Sequence, residues 1–176
     1  MSVDRKKYFI DELKRHYQEV IASARKAEVD ASQAADEVRK QSRNKDDAKA
    51  AVEPGRMASS HRRRRQRAVR ELETLIAFAN GGARSFAPRT RVMLGSLVDV
   101  SIAVRSDGEE DSEERTLFVL PVGAGAELTG PGGDGFISVI GLQSPLGKAL
   151  AGAEIGDEVE VVVQGRDREW SVVDIA

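Results

Sequence analysis

The chain has no cysteine, two histidines, one tryptophan and five prolines among its 176 residues. Without thiols, disulfides, thiolate metal sites and cysteine nucleophiles are excluded. His16 and His61 are far apart in sequence, and no His-rich zinc site can be built from one chain. No apolar run approaches membrane-spanning length, and the opening "MSVDRKKYFIDELKRHY" is charged with no apolar signal core. These absences predict a cytoplasmic protein without a membrane partner. Enzyme signatures are also missing. "GAGAELTG" lacks the spacing and following helix of a phosphate-binding glycine fingerprint. No Gly-x-Ser-x-Gly elbow occurs, and the histidines are not placed for a triad.

A length of 176 residues allows one ordinary domain or two small ones. The charge distribution favours two. Residues 1–86 hold 20 Lys and Arg against 13 Asp and Glu, whereas residues 87–176 hold 7 against 16. A basic module suits a polyanionic partner such as nucleic acid.

In the basic half, Ile10, Leu13, Tyr17, Val20, Ala24, Ala27, Ala31, Ala34 and Val38 recur at alternating intervals of three and four, a heptad seam. No Gly or Pro interrupts Asp4 to Ser42, and Asp4 is the expected N-cap. A second helix is expected from Arg56 to Ala79, with a seam of Ala58, His61, Arg65, Ala68, Leu72, Leu75 and Ala79. Asn80-Gly81-Gly82 stops it, and Pro54-Gly55 reads as the turn before it. Both seams are large-sided at the end remote from the turn and alanine-lined near it. This predicts an antiparallel coiled-coil hairpin over residues 1–80 with its tip near 43–55, in preference to two helices of a compact bundle. A helix of about 40 residues is roughly 60 Å long, a slender lever.

Residues 81–90 read as a linker. Beyond them β-branched runs take over: "RVMLGSLVDVSIAV", "RTLFVLPV", "GFISVIGL", "DEVEVVVQG" and "REWSVVDI" are expected strands. "RSDGEEDSEE" and "TGPGGDG" are expected loops, and "SPLGKALAG" a short helix. The fold class is α+β, a helical hairpin followed over residues 91–176 by a small antiparallel sheet domain. Its expected core is Val98, Val100, Ile102, Val104, Val119, Ile137, Val139, Val159, Val161, Val163, Trp170, Val172 and Ile175.

Three stretches could carry function. Asp46, Asp47 and Glu53 at the tip are hard oxygen ligands suited to Mg²⁺; they are too few for an independent cage, and from composition alone a solvated turn is the better reading. "HRRRRQR", His61 to Arg67, wraps fully around its helix, so some of its arginine forks face outward, where they suit phosphate. The alternative is pairing across the hairpin with Glu28, Asp30, Asp36 and Glu37. "LQSPLGKALAGAEIGDEVEV", Leu142 to Val161, is a coherent turn, helix and strand unit whose residues, taken alone, are better explained by folding.

"SPLGKALAGAEIGDEVEV", followed by "REWSVVDI", resembles the Gre family of bacterial transcription elongation factors almost position for position. "RVMLGSLVDV" resembles the first strand of the same domain, and the hairpin has the family's length and place. The resemblance implies an FKBP-like C-terminal domain that docks at the rim of the secondary channel of bacterial RNA polymerase, and a coiled coil that passes down that channel. Ser144, Pro145, Leu146 and Gly147 would then bind the polymerase. Arg62, Arg63, Arg64 and Arg65 would contact the nascent RNA 3′ end. Asp46, Asp47 and Glu53 would assist catalysis, with Asp46 and Asp47 helping to hold a Mg²⁺ shared with the polymerase, so that a backtracked transcript is cleaved. The active site would be the polymerase's, making this chain an accessory factor, monomeric when free, and not an enzyme. The tip departs from the family's Gly-Asp-x-x-Glu-Asn-Ala-Glu-Tyr pattern. With Asp47 at its Asp, Ala50 stands where Glu is expected, Ala51 where Asn is, Glu53 at the later acid and Pro54 at the Tyr. This departure supports an alternative, a channel binder that regulates or inhibits polymerase without cleavage. A third possibility, a free-standing prolyl isomerase, is poorly supplied with aromatics: residues 87–176 hold Trp170, Phe118 and Phe136 alone.

Overall fold

The computed structural model describes residues 2–41, 49–81, 90–106, 109–130, 133, 135–163 and 166–176. It comprises two compact units, one of Lys14–Glu73 and one of Met1–Leu13 with Thr74–Ala176.

Two long helices, α1 (Ser2–Gln41) and α2 (Val52–Asn80), pack as a hairpin, and their portions between Lys14 and Glu73 make up the first unit. Along α2 every expected seam position from Ala58 to Leu72 is buried or half-buried, and the seam continues back to Ala51 at 2% exposure. Along α1 every expected seam position is buried or half-buried except one. Ala34 is exposed, and Ala35, at 2%, takes its place. Tyr17 and Ala35 are 18 residues apart, five turns of a straight helix at 3.6 per turn; an unsupercoiled helix drifts out of a strict heptad. Small residues dominate the contact, with Ala24, Ala35, Ala51, Ala58 and Ala68 all buried.

Two boundary expectations are corrected. α1 begins at Ser2, so Asp4 lies in the first turn and not at the N-cap; there its carboxylate still complements the helix dipole. Pro54-Gly55 is not the turn. Both residues lie in the first turn of α2, and the Gly55 N–H donates to the Ala51 carbonyl at 3.2 Å. Proline is tolerated there because a first-turn N–H has no helical acceptor to lose. The described turn residues are Ala50 and Ala51.

The second unit contains a six-stranded sheet of β1 (Leu97–Ser106), β2 (Glu109–Val119), β3 (Glu127–Thr129), β4 (Phe136–Ile140), β5 (Glu158–Val163) and β6 (Arg166–Ile175). Its order is β3-β4-β2-β1-β6-β5. A short helix, α3 (Pro145–Leu150), precedes β5. The α+β expectation holds, with one correction: the sheet is mixed. β2 and β4 pair in parallel, Thr116 opposite Ile137 and Val119 opposite Ile140, while the other pairings are antiparallel. After β2 the chain passes over to the sheet edge, forms β3, and returns as β4 between the two. β3 was not expected; a three-residue strand carries little periodic signal.

Two further expectations change. "RSDGEEDSEE" is not a loop: Ala103 to Ser106 pair with Ser112 to Glu109 as the arms of a long β1–β2 hairpin. The first strand starts at Leu97 and not at Arg91, which makes an isolated bridge to Glu154 before the chain turns through Leu94 and Gly95.

One sheet face and α3 enclose a core of Val92, Val98, Val100, Ile102, Leu117, Val119, Ile140, Leu150, Val161, Trp170, Val172 and Ile175. Ile137 and Val139 are also buried, and Val159 packs half-buried against the core. The side chains of Val104 and Val163 lie outside the described ones. Phe118, pointing to the opposite side of β2 from Leu117, packs edge-on against Phe9 of α1, with ring centroids 6.4 Å apart. Both rings are 0% exposed.

Candidate functional site

The arginine cluster is divided by one carboxylate. Glu28 of α1 accepts from Arg62 Nε at 2.8 Å on one oxygen and from Arg65 Nε at 2.9 Å on the other. These two hydrogen bonds hold its carboxyl below the usual glutamate range. Arg62 and Arg65 are therefore engaged within the hairpin. Arg63 and Arg64 are exposed and have no partner among the described residues. Of the acids expected to face the cluster, Asp36 pairs along its own helix with Arg39 at 3.0 Å. Further along, Arg67 Nε donates to Glu71 at 2.8 Å. Burial pushes the Tyr17 hydroxyl pKa up, and its hydrogen bond to the nearby Glu71 carboxylate reinforces the shift.

At the tip, Asp46 and Asp47 lie outside the described residues. Glu53 is exposed in the first turn of α2, favourably placed for the helix dipole. Among the described residues no three His, Asp or Glu side chains come together to hold a metal ion, and Glu53 by itself makes no Mg²⁺ site. Arg39 and Arg56, which the sequence reading left out, line a groove with Arg63. The spacing Arg56, Ser59, Arg63 places these residues on one helix face, a signal hidden by the run of four adjacent arginines.

In the sheet unit, the Ser144 stretch folds as a capped turn. Ser144 Oγ donates to the Gly141 carbonyl at 2.8 Å and accepts from the Gly147 N–H at 3.0 Å. Pro145 occupies the first helical turn and is exposed. Leu146 packs against the core, and Gly147 is buried against the Gly141 carbonyl. Gly152 and Gly156 adopt φ of 83° and 92°, which only glycine adopts without strain. Asp157 Oδ2 accepts from the Glu154 N–H at 2.8 Å, closing the turn into β5. Residues 87–176, which include all six strands and α3, match the sequence model of a family described as transcription elongation factor, GreA/GreB, C-terminal. The chain belongs to the Gre family. It is a transcription factor of a family that acts on RNA polymerase.

This Gre-family chain is also similar to three solved structures. It matches GreA factor homolog 1 (Gfh1) of Thermus thermophilus at 19% identity, covering 93% of this chain and 94% of the other, with a TM-score of 0.33. It matches a second structure of the transcription factor Gfh1 at 21%, covering 92% of each chain, with a TM-score of 0.37. It matches Thermus aquaticus Gfh1 at 17%, covering 92% of each, with a TM-score of 0.33. No curated protein matches. The Gre C-terminal unit commits Trp170 and Phe118 to its interior at 4% and 0% exposure and leaves Phe136 72% exposed. These three rings therefore line no common proline pocket. No described helix is long and apolar enough to cross a membrane.

Proposed function

We propose that this Gre-family chain binds bacterial RNA polymerase through its secondary channel and regulates transcription without driving transcript cleavage. The sheet domain, residues 91–176, is the docking module, with the exposed Pro145 at its contact edge and Ser144, Leu146 and the buried Gly147 holding that edge in place. The hairpin, residues 1–80, is the part that enters the channel. Arg63 and Arg64 are the members of the predicted RNA-binding set left available for the nascent RNA 3′ end, since Glu28 engages Arg62 and Arg65. One observation carries the non-cleaving reading. Methyl groups stand at the two positions where the family motif has Glu and Asn: Ala50 in the turn, and Ala51 packed into the hairpin at 2% exposure. Neither can ligate a cation or orient a water.

Purified RNA polymerase should retain the chain in a pull-down. A stalled, backtracked elongation complex should keep its RNA at full length when the chain is added. RNA shortening by the wild-type chain would overturn this reading in favour of the cleavage-stimulating one. That second reading rests on Asp46, Asp47 and the exposed Glu53, three carboxylates within eight residues of sequence. Under it they would share a Mg²⁺ with the polymerase. Ala50→Glu restores the expected acid and is expected to confer measurable cleavage on a chain that otherwise shows none.

A further inference from the structure

Apart from the Glu28 pairings, three arginines from two helices gather on one surface of the hairpin. Arg39 of α1 and Arg56 and Arg63 of α2 line one open groove of about 400 Å³, together with Ala51, Gly55 and Ser59. Arg56 and Arg63 are seven residues apart, so their Cα atoms are separated by roughly 10 Å along one helix face. The long side chains of both can reach a common centre. Neither has a partner among the described residues. Arg39 gives Nη1 to Asp36, and its Nη2 lies 4.0 Å from where a Gly55 Cβ would stand. Ser59 spends its hydroxyl proton on the Gly55 carbonyl at 3.0 Å, so the arginines are the groove's side-chain donors.

We propose that this groove binds a short chain of linked phosphates, such as the triphosphate of a nucleotide or an inorganic oligophosphate. Guanidinium forks pair bidentately with phosphate oxygens, and three of them around one small volume match an anion that concentrates its charge. The pattern suits a compact anion better than a nucleic-acid strand. A strand needs phosphate contacts repeated along its length, and the neighbouring Arg62 and Arg65 are both held by Glu28, which offsets one of their two charges. The inference is independent of polymerase binding.

The test is calorimetric titration of the full chain with inorganic tripolyphosphate and, separately, with ATP. Saturable binding of one ligand per chain, weakening as salt is raised, is expected for at least one of them. Tighter binding of ATP would mark a nucleotide site, and equal binding a site for the phosphate chain alone. Arg63→Gln and Arg56→Gln should each weaken binding about tenfold. Arg64→Gln removes the same charge from the adjacent face and should change it by less than about twofold. Circular dichroism should show all three variants folded, since each side chain is exposed. Absence of saturable binding to either ligand would overturn the proposal. So would equal weakening by Arg63→Gln and Arg64→Gln, the signature of a diffuse basic surface.

Discussion

Gly147 has no room for a methyl group. A Cβ built there would overlap the carbonyl oxygen of Gly141 and press on Leu142, and these are backbone atoms that cannot swing aside. Gly147→Ala should therefore push α3 off the loop before it and destabilise the fold by about 1–3 kcal/mol, the usual range for overpacking. Urea unfolding followed by the fluorescence of Trp170 would measure it, and a midpoint equal to wild type would show that the loop yields. Glu28 makes a second residue-scale case, through pH. Its folded carboxyl titrates below its ordinary value of 4.5 because Arg62 and Arg65 bond to the charged form. Between the folded and unfolded values the unfolded chain binds more protons, so stability rises with pH there. The pair's contribution is fully present above the ordinary value and is lost as pH falls through the folded one. Wild type should exceed Glu28→Gln in thermal midpoint at neutral pH, and the difference should shrink as the pH is lowered through that window. A gap that stays constant with pH would assign the effect to packing.

Among the elements, α3 shows how a six-residue helix is maintained. It is too short to be stable alone, and Ser144 satisfies one of its unpaired N–H groups while Pro145 pre-sets the first turn. Ser144→Ala should cost about 1 kcal/mol, read in the same urea transition, and Ser144→Thr, which keeps a hydroxyl that can donate to the Gly141 carbonyl and accept from the Gly147 N–H, should restore most of it. This element was legible in sequence because cap, proline, glycine and apolar positions all agree locally. The two long helices were legible for a similar reason, since alanines recur at helical spacing between charged residues. What escaped the sequence depended on geometry beyond the local pattern. The shift from Ala34 to Ala35 follows from a helix that keeps its straight period, and a run of alanines offers either seam. The acidic arm Glu109 to Glu114 lacks the apolar alternation of a half-buried strand, although Asp107-Gly108 is a two-residue hairpin signal. At the tip, the sequence identified the carboxylates and arginines but not their partition. Which arginines Glu28 engages depends on the relative register of two helices 34 to 37 residues apart in sequence.

At the scale of the whole molecule, the charge division near residue 86 suggests a boundary in the linker, and the family match also begins at residue 87. The compact unit around the sheet nevertheless includes Met1–Leu13 and Thr74–Asn80. Phe9, Ile10 and Leu13 are each at most 1% exposed, and the Phe9 ring stands edge-on to Phe118. Helical residues at the start of the chain thus complete the far side of the sheet. Trp170 is the sole tryptophan and lies in the sheet core at 4% exposure, so its fluorescence reports this unit alone. Phe9→Ala in the full chain should lower the stability seen by Trp170 by about 3–5 kcal/mol, the loss typical of a buried phenylalanine. A fragment of residues 91–176, which exposes Phe118, should unfold at still lower urea, having lost Ile10, Leu13 and Leu75 as well. If the linker were the true folding boundary, the Trp170 transition would be indifferent to Phe9, and the fragment would unfold at the same urea concentration as the full chain.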